Sequence, residues 1–171
     1  MWNSTASAIT VNSSGYLYSQ NHGNTAGSLY IWGAYTRASS GTDYWDYAKD
    51  FDGTPLFGSS RQANVHIASS SSVTISTGGS IEMIGNTTGA TTTVANQGAG
   101  RYSFSVNGGS INAQYYQMRN MDSNGLSLSG TPSITSLSNG DLELDVVSGG
   151  SLMTVTVLRT ELRCRTYRHV D

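Results

Sequence analysis

The sequence predicts an all-β protein: a right-handed parallel β-helix (β-solenoid) with an aromatic-rich N-terminal cap. Three observations predict it. First, Ser, Gly, Thr and Asn supply 27, 20, 19 and 12 of the 171 residues, beside eleven acids, eight Arg and one Lys. Such a chain is poor in helix formers and rich in β-branched and turn residues. Second, short apolar-polar-apolar runs recur, with the two-residue period of a half-buried strand. Third, Gly-Gly-Ser-aliphatic occurs at 78–81, 108–111 and 149–152, at spacings of 30 and 41 residues. It is an irregular but recurring unit within one chain.

Taken in order, residues 1–60 hold all three Trp (Trp2, Trp32, Trp45) and six of the ten Tyr. They read as the cap and first rungs, with Tyr30, Trp32 and Tyr35 covering the first rung. Trp32 lies in an apolar run and is expected to be buried. Residues 61–158 read as rungs. Their strands are Val65-His66-Ile67, Val73-Thr74-Ile75, Ile81-Glu82-Met83, Phe104-Ser105-Val106 and Leu126-Ser127-Leu128, then Leu142-Glu143-Leu144 with Val146, and Val155-Thr156-Val157. Gly, Ser or Asn clusters separate them. Aliphatic residues step by eight at Ile67, Ile75 and Met83, and by 8, 8 and 10 at Leu126, Ile134, Leu142 and Leu152. Inward residues of alternating pairs then form the core. Outward ones are free to be Ser or Thr, and Gly or Asn supplies corners with positive φ.

Residues 159–171 form a basic tail. They carry four basic and two acidic groups, net +2, against five and nine, net −4, in residues 1–158. The tail reads as a cap or a truncated end. The open end at residue 158 calls for the tail, a partner or more chain, because each rung contacts only its neighbours.

The rival architecture is an antiparallel β-sandwich. A hairpin at Asn107-Gly108 would pair Phe104 with Ile111 on one face. The same rule at Gly78-Gly79 would pair Ser76 with Ile81, polar against apolar, which favours the solenoid.

Residues 73–85, Val-Thr-Ile-Ser-Thr-Gly-Gly-Ser-Ile-Glu-Met-Ile-Gly, and 126–134, Leu-Ser-Leu-Ser-Gly-Thr-Pro-Ser-Ile, resemble segments of large repetitive secreted bacterial β-helix surface proteins. These include filamentous-haemagglutinin-like adhesins and pectate-lyase-like repeats. The resemblance covers roughly residues 61–158 and implies an extracellular, elongated scaffold. It transfers no catalytic residue.

Composition limits function. No run of 18 apolar residues exists, so membrane insertion is not expected. A net charge of −2 does not indicate a nucleic-acid surface. The single Cys164 excludes a disulfide framework within the chain and a zinc site built on thiolates. Met1-Trp2-Asn3-Ser4 has neither a basic start nor an apolar core, so no signal peptide is expected in this segment. The composition points to an extracellular or cell-surface location, with extracellular polysaccharide or neighbouring repeats of a longer chain as partners.

Two stretches carry distinct chemistry. In residues 43–53, Tyr44, Trp45 and Tyr47 offer flat apolar faces for stacking on sugar rings. Asp50 and Asp52, in Asp50-Phe51-Asp52-Gly53, have the look of a calcium loop but lack its closing Glu; no other cofactor is indicated. In residues 141–145, Asp141 and Glu143 stand at i and i+2 of a strand, about 7 Å apart. Such a pair can serve as acid and base in a glycosidase, with Arg119 the one basic companion. The simpler reading is the solvent face of a strand whose leucines point inward. The expected function is a non-catalytic structural or adhesive module of an exported bacterial surface protein that binds glycan. A polysaccharide-active lyase or hydrolase is the alternative.

Overall fold

The computed structural model describes residues 8–11, 27–38, 40–46, 49, 63–145 and 149–157. Among them there are fourteen strands and no helix. The strands are β1 (Ala8–Val11), β2 (Gly27–Ile31), β3 (Ala34–Arg37), β4 (Gly41–Tyr44), β5 (Ala63–Ala68), β6 (Ser72–Ser76) and β7 (Gly79–Ile84). They continue with β8 (Thr92–Gln97), β9 (Tyr102–Asn107), β10 (Ser110–Gln114), β11 (Tyr116–Gly130), β12 (Ser133–Ser138), β13 (Asp141–Leu144) and β14 (Met153–Val157).

Every named strand pair is parallel. One ten-stranded sheet runs β1-β3-β6-β9-β11-β8-β5-β2, with β13 and β14 also on β11. It curls into a nearly closed, barrel-like wall. A four-stranded sheet, β12-β10-β7-β4, packs on the same core.

This corrects both architectures read from the sequence. The right-handed parallel β-helix required separate faces joined by corners. Instead β11 runs for 15 residues and pairs with β8 through its first part and β9 through its second. It thereby fuses two would-be faces into one continuous sheet. The corner signal Asp122-Ser123-Asn124-Gly125 is absorbed as a register shift between Met121 and Leu126. Gly125, at φ +59, makes the shift possible: a Cβ there would lie 2.1 Å from the Leu152 carbonyl oxygen. The antiparallel β-sandwich fails because Asn107 and Gly108 lead from β9 to a strand in the other sheet, and do not close a hairpin.

The alternating runs nonetheless do what their period dictates. β5, β7 and β8 alternate buried and half-buried residues along their whole length. Inward positions stack across the parallel register as Val65–Val94–Met118, Ile75–Val106–Leu128 and Ile81–Ile111. Phe104, Tyr102, Tyr35 and Trp45 are among the largest fully buried side chains of the core. Each such side chain removes about 1.5–3 kcal/mol worth of apolar surface from water. Outward positions carry Ser, Thr, Asn, Gln and most of the charged groups, whereas Arg37, Asp43 and Asp46 are buried.

Candidate functional site

The parallel register decides which outward side chains become neighbours. On β2, β5, β8, β11 and β13 it builds two columns on the outer face. One runs Tyr30, His66, Ala95, Arg119, and Glu143 extends it, with a carboxylate oxygen 3.8 Å from Arg119 Nε. The other runs Asn64, Thr93, Gln117, Asp141. Neighbouring strands lie about 4.8 Å apart, so Tyr30 and Glu143 mark the ends of a face about 19 Å long.

One end is aromatic. The Tyr30 and His66 rings stack with centroids 4.7 Å apart and planes at 15°. Trp32, two residues beyond Tyr30, is 47 % exposed. Partial burial lowers the His66 pKa, so its ring is neutral over most of the physiological range. The other end is charged, and beside it lies a shallow cleft of about 270 Å³ lined by Tyr116, Gln117, Asn139 and Asp141 among others. Gly140 is needed there, because a Cβ would stand 2.1 Å from the Tyr116 ring.

Trp45 is 1 % exposed, wedged between Tyr35 and Phe104; no face is left for a sugar. Trp32, expected inside, is outside. Tyr44 is half-buried, with the Lys49 ammonium 4.7 Å from its ring centroid. Tyr47, Asp50, Asp52, Val146 and the tail 159–171 lie outside the described residues, and so does Cys164. Among the described residues no group of three or more His, Cys, Asp or Glu is gathered. Arg119 and Glu143 do come together, and Asp141 projects from the same strand as Glu143.

The remaining charges of residues 43–49 hold the fold. Asp43 and Arg37 are 3 % and 2 % exposed and lie 3.5 Å apart. Tyr35 donates a 2.7 Å hydrogen bond to Asp43. Burial raises the Asp43 pKa, while the Tyr35 hydrogen bond and the Arg37 charge oppose the rise. On the four-stranded sheet, Lys49 donates to Glu82, which also accepts from Asn112 at 3.2 Å. Burial would raise the Glu82 pKa; hydrogen bonds to Lys49 and Asp46, the Lys49 charge and Asn112 overcome it and lower the pKa.

Tyr30 and His66 were missed as a site because the sequence does not show that they are register partners 36 positions apart. One signal was present. In Leu29-Tyr30-Ile31 the aliphatic residues claim the inward positions and leave Tyr30 outward. Compared with known protein families, curated proteins and solved structures, the chain matches none.

Proposed function

We propose that this chain is a non-catalytic adhesive module of an exported bacterial surface protein, and that it binds glycan along the Tyr30–Glu143 face. The observation that carries the reading is the Tyr30–His66 stack beside exposed Trp32, at one end of a polar column. Aromatic faces take the apolar C–H faces of pyranose rings. Asn64, Thr93 and Gln117 supply amide and hydroxyl groups that both donate and accept, as sugar hydroxyls require. Arg119 is paired with Glu143 and Asp141 lies on the same side of β13, so this end is net negative and favours a neutral glycan over one bearing carboxylate or sulfate groups. The Ser/Thr-rich composition and the resemblance of residues 73–85 and 126–134 to secreted surface repeats support the location.

The enzymatic alternative has the convergence of Arg119 and Glu143 in its favour. Asp141 and Glu143, about 7 Å apart, also fall in the separation range of inverting glycosidases. Those enzymes place their carboxyl groups on opposite sides of the scissile bond. Here both project from one side of β13, which favours binding without turnover.

The test is a glycan array, followed by calorimetry on the best acidic and neutral hits. Tyr30→Ala and Trp32→Ala are each expected to weaken binding at least tenfold while the fold survives. Binding that is unaffected by both substitutions overturns the site. Release of reducing ends or unsaturated products from a bound polysaccharide overturns the non-catalytic reading.

A further inference from the structure

Two clefts lined by described residues differ in what their polar groups already do. One, of about 250 Å³ on the four-stranded sheet, is lined by Glu82 and Asn112 among others. Both are engaged within the protein: Glu82 accepts from Lys49 and Asn112, and Asn112 accepts from Gln114. The other, of about 270 Å³, opens where β8, β11 and β13 begin. Its polar lining is Thr88, Thr91, Gln117, Asn139 and Asp141. Among the described residues, none of these five side chains has a hydrogen bond or ion pair. Polar groups left over for a ligand and converging on one hollow are the mark of a binding pocket. The hollow is also preformed. Thr92 N–H donates to the Tyr115 carbonyl and Tyr115 N–H to the Ser138 carbonyl, both at 3.1 Å. Tyr115 and Asn139 hold positive φ, +49° and +51°. Asn takes that conformation readily; Tyr does so only where the surrounding structure over-determines it.

We infer that this cleft, resting on the glycan reading of the Tyr30–Glu143 face, is a second sugar site that takes one neutral pyranose ring. The amides of Gln117 and Asn139 and the hydroxyls of Thr88 and Thr91 both donate and accept, as a ring of hydroxyls requires. Asp141 only accepts, and suits a pair of adjacent hydroxyls that donate to it. No cation lines the cleft, so a sugar bearing carboxylate or sulfate is repelled there. The Tyr116 ring adds an apolar wall for the C–H side of the sugar. Gln117 and Asp141 belong at the same time to the outer column Asn64, Thr93, Gln117, Asp141. A glycan lying along that column therefore runs into the cleft. From β2 to β11 is three strand steps, about 14 Å. The aromatic end and the cleft then grip different rings of one chain.

Titrating the full chain with the methyl pyranosides of glucose, galactose and mannose, and following side-chain N–H signals by NMR, tests it. At least one pyranoside is expected to shift the Gln117 and Asn139 amides saturably, while glycerol at the same concentration shifts neither. Asp141→Ala, and Asn139→Gly, which keeps the left-handed backbone, are each expected to raise the dissociation constant at least tenfold. Gln117→Ala, on a regular strand, takes the place of Asn139→Gly should the corner loosen. Saturable shifts confined to the Trp32 indole N–H would put the sugar at the aromatic end; that overturns the cleft and leaves the proposed face standing. No shift with any pyranoside, an equal shift with glycerol, or a dissociation constant unmoved by Asp141→Ala overturns it as well. Shifts at the cleft, with oligosaccharide binding indifferent to Tyr30→Ala, overturn the face and uphold the cleft.

Discussion

Replacing Gly125 with Ala tests the feature that separates this fold from the one read in the sequence. Gly125 sits inside β11 at φ +59, where the strand passes from the β8 register to the β9 register. An Ala there incurs the left-handed backbone cost of about 1–2 kcal/mol. Its Cβ would also lie 2.1 Å from Leu152 O and 2.3 Å from Ser151 O, both backbone atoms. Relieving that overlap means moving the approach to β14 away from β11. The bonds Leu126 N–H to Leu152 O (3.0 Å) and Ser151 N–H to Ser123 O (2.9 Å) would be lost, at about 1 kcal/mol each. The expected loss is about 3–4 kcal/mol. Gly98→Ala is the control. Gly98 has φ +80 but nothing within 4 Å of a built Cβ, so only the backbone term of about 1–2 kcal/mol applies. Urea unfolding of the two variants reads the difference directly. With a slope of about 1–3 kcal/mol per molar, Gly125→Ala should unfold roughly 1 M earlier than Gly98→Ala. Equal midpoints would refute the claim that a tight β11–β14 approach shapes this end of the sheet.

Three further outcomes follow from the charged groups. Asp43→Ala takes the carboxylate from buried Arg37 and from the Tyr35 hydroxyl, and should cost about 3–5 kcal/mol in chemical unfolding; a loss under 1 kcal/mol would show that the pair is not buried. The Glu82 pKa is lowered from 4.5, so its contribution is full above pH 4.5 and disappears as pH falls through the lowered value. Glu82→Gln should flatten that acid limb, by no more than about 1 kcal/mol because Lys49 is partly exposed. The His66 pKa is lowered from 6.5. The folded state then binds fewer protons than the unfolded one between that value and pH 6.5, so stability falls as pH drops through this window. His66→Gln should remove that part of the pH profile, and a profile that does not change sinks the assignment.

Strand positions were legible because a two-residue period needs only local sequence. Val65-His66-Ile67, Ile81-Glu82-Met83 and Phe104-Ser105-Val106 all lie in strands with the apolar residues inward. Sheet closure was not legible. Asp122-Ser123-Asn124-Gly125 has the composition of a corner, yet the chain continues as strand through it. A Gly that frees a turn and a Gly that admits a close strand look alike until the neighbouring backbone is known. Leu142-Glu143-Leu144 was read as inward leucines with outward acids, and that side of the reading holds.

The two tryptophans show why the candidate site was harder to see than the strands. By its sequence, Trp45, between Asp43 and Asp46, reads as a solvent-facing platform, and Trp32, in an apolar run, as core. Both inferences used the neighbours in sequence, whereas burial is decided by neighbours in register. Asp43 can be buried beside Trp45 because Arg37 and Tyr35 meet it, and Asp46 because the positive charge of Lys49 acts on it. Once those charges are satisfied, the indole is free to fill the core against Phe104, 59 positions away. Trp32 loses that place because Leu29 and Ile31 already take the inward positions of β2. A face assembled from one outward residue per strand, Tyr30, His66 and Arg119 among them, leaves no contiguous motif in the chain. Its function can therefore be tested only by substitutions chosen across strands.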